Sequence, residues 1–313
     1  MEKQCKYNQI KNLCNDFYSE MENFVTQIFS NLEINHNEYF RDLKNYLFGN
    51  SKQIRSCLIF LFANNLGYKP NDMDIIKLAT AVEIIHNATL IHDDIIDNSP
   101  IRRGNISLHE KYNNKLGVIS GDFLLSIAFN LLLDLPQSVM KNFAICLNSL
   151  CFGEINQYFS IKTTPTVEEY LKKSEQKTAS LFIAALKSLM EIKNSELSIA
   201  AEKFALHFGR AFQINDDLKN IISTDKNKPI LNDIEQGIYT IPVIYAFGEL
   251  QDLSLTPENE IIEKTTNKSA INKTKKILDI ELNTAISCLK NFPENDYKYS
   301  IIELCELLNV NFC

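Results

Sequence analysis

Asp93, Asp94 and Asp97 crowd into five consecutive positions, and Arg102 and Arg103 follow six residues later at most. An apolar helical run at 79–91 leads directly into them. On an α-helix Asp93 and Asp97 lie one turn apart on one face, with Asp94 beside them. Two carboxylates about 4 Å apart repel by roughly 4 kcal/mol at an effective dielectric near 20. A divalent cation removes that penalty. Mg²⁺ prefers hard oxygen ligands, takes few protein carboxylates and completes its shell with water and phosphate oxygens. Pro100 cannot continue the helix, so the chain turns there and brings two guanidiniums, whose forks match phosphate, back towards the carboxylates. The stretch reads as a Mg²⁺–diphosphate site at a helix end. The plain alternative is a solvated acidic helix end followed by a basic turn.

A second acidic pair argues against the plain alternative. Asp216 and Asp217 follow another apolar helical run, 204–214, in the series Gln213-Ile214-Asn215-Asp216-Asp217. Two helix-borne clusters facing one another across a cavity could hold several Mg²⁺ around one diphosphate. Farther upstream, Lys52 and Arg55 open the apolar helix 57–66. Cations at a helix start oppose the macrodipole, an odd arrangement unless an anion binds there. His86 lies two turns before Asp93 and projects along the same face.

The elements that must position these groups are helical. Gly numbers only 9 in 313 residues, and long apolar patterns of period 3.6 run through the chain, which argues against a sandwich, a barrel or a doubly wound sheet. We expect one all-α domain over 1–313, a bundle of about ten or more helices around a central cavity. Residues 1–35 read as one amphipathic helix (Leu13, Phe17, Met21, Phe24, Val25, Phe29), and 35–50 as a short helix stopped at Gly49. Thr166 with Glu168 and Glu169 reads as an N-cap. The apolar stretch 116–135 is long enough to span a bilayer. It carries Asp122, Asn130 and Asp134, which favours a buried core helix. The polar segment 223–237 is a candidate lid. Net charge −7 makes nucleic acid an unsuited partner. Eight cysteines without C-x-x-C spacing read as reduced thiols and point to a cytoplasmic location, as does an N-terminus lacking an apolar signal core.

Taken in order, these motifs resemble the trans-polyprenyl diphosphate synthases, the farnesyl, geranylgeranyl and long-chain synthases among them. The likeness runs from about 49 to 242: Lys52 and Arg55, the first Asp-rich motif with Arg102 and Arg103, the pair Lys177-Thr178, and the second motif at Asp216 and Asp217. It continues through Lys228 and Asp233 to the run 237–242. The resemblance implies an isoprenoid-synthase fold, a homodimer, and head-to-tail condensation of isopentenyl diphosphate onto an allylic diphosphate. About three Mg²⁺ ions would sit with the diphosphate, on Asp93, Asp97 and Asp216. Arg102, Lys177, Gln213 and Lys228 would add donors to the leaving group. Lys52, Arg55, His86 and Arg103 would hold isopentenyl diphosphate, and Thr178 with the Lys177 carbonyl would face the allylic cation. The product would pass to a membrane.

Chain length is set in this family just before the first motif, where Ala88 and Thr89 stand here. One helical turn of about 5.4 Å approximates an isoprene unit, so small residues there point to a long product, roughly C30 to C50, of the quinone-tail kind. A medium-chain C20 synthase is the neighbouring alternative. Phe123, Ile127 and Phe129 are floor candidates. Four residues depart from the family pattern: Gln53 for Arg, Ser56 for Pro, Asn220 for the outer Asp of the second motif, and Ile238 for Lys. Those losses raise a third reading, a weakly active or non-catalytic subunit of a heteromeric synthase. The retained aspartates and cations favour the active enzyme.

Overall fold

The computed structural model describes residues 2–30, 37–49, 51–222 and 232–309, and the architecture is all-α. In chain order the helices are α1 (Glu2–Asn12), α2 (Asn15–Ser30), α3 (Asn37–Phe48), α4 (Ile54–Asn65) and α5 (Met73–Ile96), then α6 (Leu108–Lys111), α7 (Asn114–Leu133) and α8 (Gln137–Phe159). After them come α9 (Val167–Ser174), a π-turn at Glu175–Ala179, α10 (Ser180–Ile192), α11 (Ser198–Ile222), α12 (Asn232–Glu235) and α13 (Ile241–Phe247). The chain closes with α14 (Glu258–Thr265), α15 (Lys268–Cys288) and α16 (Asp296–Asn309). Between α5 and α6 a two-stranded hairpin, β1 (Ile101–Arg102) with β2 (Asn105–Ile106), pairs Arg102 with Asn105. Arg103 and Gly104 both take positive φ in its two-residue turn (51° and 77°), the backbone such a tight connection demands.

The core lies around α4, α5, α10 and α11. Ile59, Phe62, Ile84, Ile85, Leu189 and Phe208 are fully enclosed there, and Phe62 meets Phe204 edge-on at 5.1 Å. α5 and α7 pack closely because α7 presents glycine to its neighbour. A Cβ on Gly121 would sit 2.2 Å from the His92 ring, and one on Gly117 would sit 2.7 Å from Ile95. At Gly209 on α11 a Cβ would meet the Ala179 backbone at 2.5 Å, so this glycine lets α11 approach the π-turn. The terminal helices α15 and α16 cover α11 and α4, contributing Leu278, Leu282, Leu304 and Leu308 to the core.

Two expectations need correction. The N-terminal helix is two helices, broken at Leu13–Cys14. Leu13 is exposed, while Tyr7 and Ile10 of α1 and Phe17, Met21 and Val25 of α2 are buried separately. And 116–135 is not a buried core helix: only a third of the most apolar window of α7 is enclosed. Gly117, Ser120, Gly121, Leu124, Ala128 and Leu132 face α5 and the core, whereas Val118, Ile119 and Leu133 lie open. The small-residue face packs, and much of the apolar bulk points outward. Ile145, Phe152, Tyr158 and Phe159 of α8 are exposed as well.

Candidate active site

Asp93 and Asp97 reach the site because α5 stops just past them. The helix ends in a Schellman motif: Asn98 takes the left-handed conformation (φ 49°), and the Ser99 amide donates to the Asp94 carbonyl at 2.8 Å. Asp93 and Asp97 line a cavity of about 1280 Å³, and Asp216 of α11 lines the same cavity. Lys52, Arg55, His86, Thr89, Arg102, Lys177, Thr178, Gln213 and Asp217 also reach its wall. The two acidic clusters and the upstream cations therefore share one chamber.

Within each acidic pair the adjacent aspartates have different surroundings. Asp94 is buried and faces away from the cavity. Its Oδ1 accepts from Arg102 Nε at 2.7 Å and again from Arg102 Nη2, and its Oδ2 accepts from the Tyr46 hydroxyl at 2.8 Å. Asp217 is buried too. It accepts from the Tyr170 hydroxyl at 2.5 Å and from Gln213 Nε2 at 2.9 Å, while Gln213 Oε1 accepts from Thr178 Oγ1 at 2.6 Å. Asp97 and Asp216 stay exposed. In each motif one carboxylate is locked into the protein by a tyrosine while its companions face the cavity. Neither tyrosine is evident from sequence, because Tyr46 lies 48 residues before Asp94 and Tyr170 lies 47 before Asp217.

The electrostatics of the wall suit a cation. Burial, together with Glu154 and Asp97, pushes the Asp93 carboxyl up to about 7, with Lys177 opposing. Burial also raises Asp97 and Asp233. It lifts Asp217 to about 7, against the stabilising hydrogen bonds from Tyr170 and Gln213. Carboxylates held in mutual repulsion are oxygen donors awaiting positive charge, and hard donors of this kind fit Mg²⁺. Among the described residues no three carboxylate, imidazole or thiolate side chains form a ready-made metal cluster. Ions at Asp93, Asp97 and Asp216 would thus take further ligands from water and a bound diphosphate.

Lys177 and Thr178 sit on the π-turn that joins α9 to α10, a bulge of the kind found at functional sites. The expected N-cap is present as a full capping box, Thr166 with Glu169, and it fixes the start of α9. Lys177 Nζ pairs with Glu154 of α8 at 2.8 Å and donates to Gln157 Oε1 at 3.0 Å. A Cβ on Gly153 would crowd Lys177 Cγ at 2.9 Å, so the glycine beside Glu154 gives that side chain its room. Lys173, one turn earlier on α9, also lines the cavity; burial lowers its ammonium, with Asp217 and Asp233 opposing. In the sequence, only its i, i+4 spacing from Lys177 marks it.

Arg55, half-buried on the cavity wall, has its guanidinium pulled down to about 10 by burial. It lies 4.6 Å over the Phe182 ring, and its Nε has no hydrogen-bond partner among the described residues. Burial and the charges of Arg55, Arg103 and Arg102 hold His86 well below its ordinary pKa, so its ring is neutral. Arg103 does not line the cavity; its Nη1 donates to Asn87 Oδ1 at 3.1 Å. The structure also accounts for two departures from the family pattern. Gln53 caps α4 in left-handed conformation (φ 54°), and its Oε1 accepts from Lys11 of α1 at 2.7 Å. Tyr7 and Tyr18 donate to the carbonyls of Lys52 and Gln53. Ser56 has an amide, which proline lacks. Both that amide and Ser56 Oγ donate to the buried Glu83, at 3.0 and 2.8 Å.

Of the chain-length candidates, Thr89 lines the cavity, its Oγ1 donating to the His86 carbonyl at 2.8 Å; Ala88 is fully buried behind the wall. Phe123, Ile127 and Phe129 pack partly buried against the core away from the cavity lining. Lys228 and most of the candidate lid lie outside the described residues; Asp233, Gln236 and Ile238, which follow, line the cavity.

The architecture is that of the isoprenoid synthases. The crystal structure of a decaprenyl diphosphate synthase from Rhodobacter capsulatus superposes with a TM-score of 0.85, covering 97% of this chain and 98% of that one at 24% identity. The family model for polyprenyl synthetases matches residues 37–280, and the chain belongs to that family. An all-trans-nonaprenyl-diphosphate synthase (geranyl-diphosphate specific) of Rhodobacter capsulatus is 32% identical, covering 82% of this chain and 84% of its own length. A short chain isoprenyl diphosphate synthase of Methanocaldococcus jannaschii is also 32% identical, over 79% of this chain and 75% of its length. The protein is an enzyme, a prenyltransferase.

Proposed function

We propose that the protein is a Mg²⁺-dependent long-chain trans-polyprenyl diphosphate synthase. The observation that carries this reading is the shared cavity: carboxylates of α5 and α11 line one chamber together with Lys52, Arg55 and neutral His86. Asp93, Asp97 and Asp216 would hold Mg²⁺, which when bound supplies Lewis-acid neutralisation of a diphosphate. Lys177 and Gln213 orient the allylic diphosphate for heterolysis of its C1–O bond. Thr178 Oγ1 and the Lys177 carbonyl offer dipoles to the allylic cation. Lys52, Arg55 and His86 hold isopentenyl diphosphate so that its double bond attacks C1, forming the new C–C bond. The proton then lost from the adduct goes to an oxygen of the departed diphosphate, so no histidine base is needed. Arg102 acts through Asp94, and Arg103 through Asn87, shaping the wall rather than touching substrate.

Thr89 on the cavity wall supports the long-chain reading, because a small side chain there leaves the shaft open. The assay is incorporation of labelled isopentenyl diphosphate onto a C15 or C20 primer with Mg²⁺, products being sized by chromatography. We expect extension beyond C25, and Thr89→Tyr shortens the product while turnover stays within about tenfold. A wild-type product of C20 selects the medium-chain alternative; unchanged length in Thr89→Tyr removes Thr89 from the tunnel.

Val118 and Ile119 of α7 and Ile145 and Phe152 of α8 leave apolar side chains exposed on two helices that pack against each other. We assign these side chains to an isologous homodimer, the same face on both copies. Sedimentation equilibrium is expected to give twice the chain mass, and a monomer at micromolar concentration overturns the assignment.

A further inference from the structure

Among the described residues, the cations lining the cavity beside the acidic clusters have protein partners, with one exception. Arg102 is clamped on Asp94, and Lys177 is shared between Glu154 and Gln157. Lys173 points into the same chamber, and among the described residues its ammonium makes no hydrogen bond or ion pair. Its neighbour Lys172 pairs outward with Glu175 at 2.7 Å. Asp217, the carboxylate that most strongly influences Lys173, is already satisfied by Tyr170 and Gln213 and has no need of it. The same wall carries Ile238, an apolar residue where the family pattern has lysine.

An ammonium has three donors and no acceptor, and leaving all three unengaged in a partly desolvated wall is costly. A bound anion would engage those donors. The chamber's other occupants restrict which anion: carboxylates that gather Mg²⁺, and Lys177 and Gln213 beside them, describe a site for a diphosphate. We propose that Lys173 is a diphosphate-binding residue of the allylic subsite, supplying from α9 the positive charge that Ile238 leaves out of the wall. The proposal rests on the functional reading above. It explains how the chain tolerates isoleucine at 238 without losing charge balance around the leaving group.

The test compares wild type with Lys173→Met, Lys173→Arg and Lys173→Met/Ile238→Lys, all checked for unchanged melting temperature. Calorimetry with inorganic pyrophosphate and Mg²⁺ reads the subsite without turnover. We expect affinity to fall about tenfold in Lys173→Met, to stay within about threefold in Lys173→Arg, and to recover at least partly in the double variant. In steady state the KM for the allylic diphosphate rises about tenfold in Lys173→Met, while that for isopentenyl diphosphate moves less than about twofold. Pyrophosphate affinity unchanged in Lys173→Met overturns the proposal. Equal rises in both KM values also overturn it, since they mark general damage. If wild type turns nothing over but Lys173→Met still loses pyrophosphate affinity, Lys173 keeps its role and the synthase reading falls instead.

Discussion

Asp93→Ala is expected to lower kcat/KM for prenyl transfer by about a thousandfold while making the metal-free protein more stable. The activity loss follows from removing one of the oxygen donors that reach the cavity from α5, leaving Asp97 and Asp216 to hold the cations. The gain in stability follows from the pKa. Burial, Glu154 and Asp97 hold the Asp93 carboxyl near 7, above its unfolded value, so folding disfavours its ionised form. With a raised folded pKa the stability contribution is intact at low pH and is lost as pH climbs through about 4 to 7. At pH 8 with chelator, the variant therefore melts above wild type, and the difference narrows at pH 5. Thermal melts with and without Mg²⁺ beside a rate assay check both halves. An Asp93→Ala protein that is inactive and also less stable at pH 8 removes the carboxylate repulsion from the account.

Arg102→Met gives the opposite signature. Asp94 is almost wholly enclosed, and the Arg102 guanidinium grips one of its oxygens through Nε and Nη2. Removing the cation leaves a buried carboxylate with only the Tyr46 hydroxyl, and breaking a buried pair from one side costs about 3 kcal/mol or more. The urea midpoint is expected to fall accordingly. Turnover drops about a hundredfold as well, because Asp94 lies between Asp93 and Asp97 on the last turns of α5 and sub-ångström placement of those groups matters. The double variant Asp94→Asn/Arg102→Met recovers much of the stability, since a neutral amide tolerates the enclosed site. If Arg102→Met unfolds within about 0.5 kcal/mol of wild type, the pair is only a surface contact.

How much of this was legible beforehand depends on the range of the contact. The acidic runs, the Thr166 cap and the apolar helical stretches are local patterns, and each appears where the residue spacing places it. The break at Leu13–Cys14 is local too, but the apolar period continues across it and hides it. What spacing could not say is which member of an adjacent aspartate pair faces the cavity. That choice belongs to Tyr46 and Tyr170, whose hydroxyls arrive from helices far away in the chain. The departures at Gln53 and Ser56 likewise read as losses until Lys11 and Glu83 are seen beside them. The exposure of half of α7 escaped for a related reason: a helix apolar on all sides does not announce which side is covered.

The unequal fates of neighbouring aspartates carry a consequence for how this chain can drift. Asp97, Asp216 and Asn220 line the cavity, and among the described residues their side chains make no hydrogen bond to the protein, so their chemistry can be retuned, as the amide at Asn220 already illustrates. Asp94 and Asp217 answer to the scaffold at the same time, through tyrosines that would be stranded by their loss. Two identical letters side by side are thus under different physical constraints. Attempts to change metal preference have open ground at the untethered positions and little at the tethered ones.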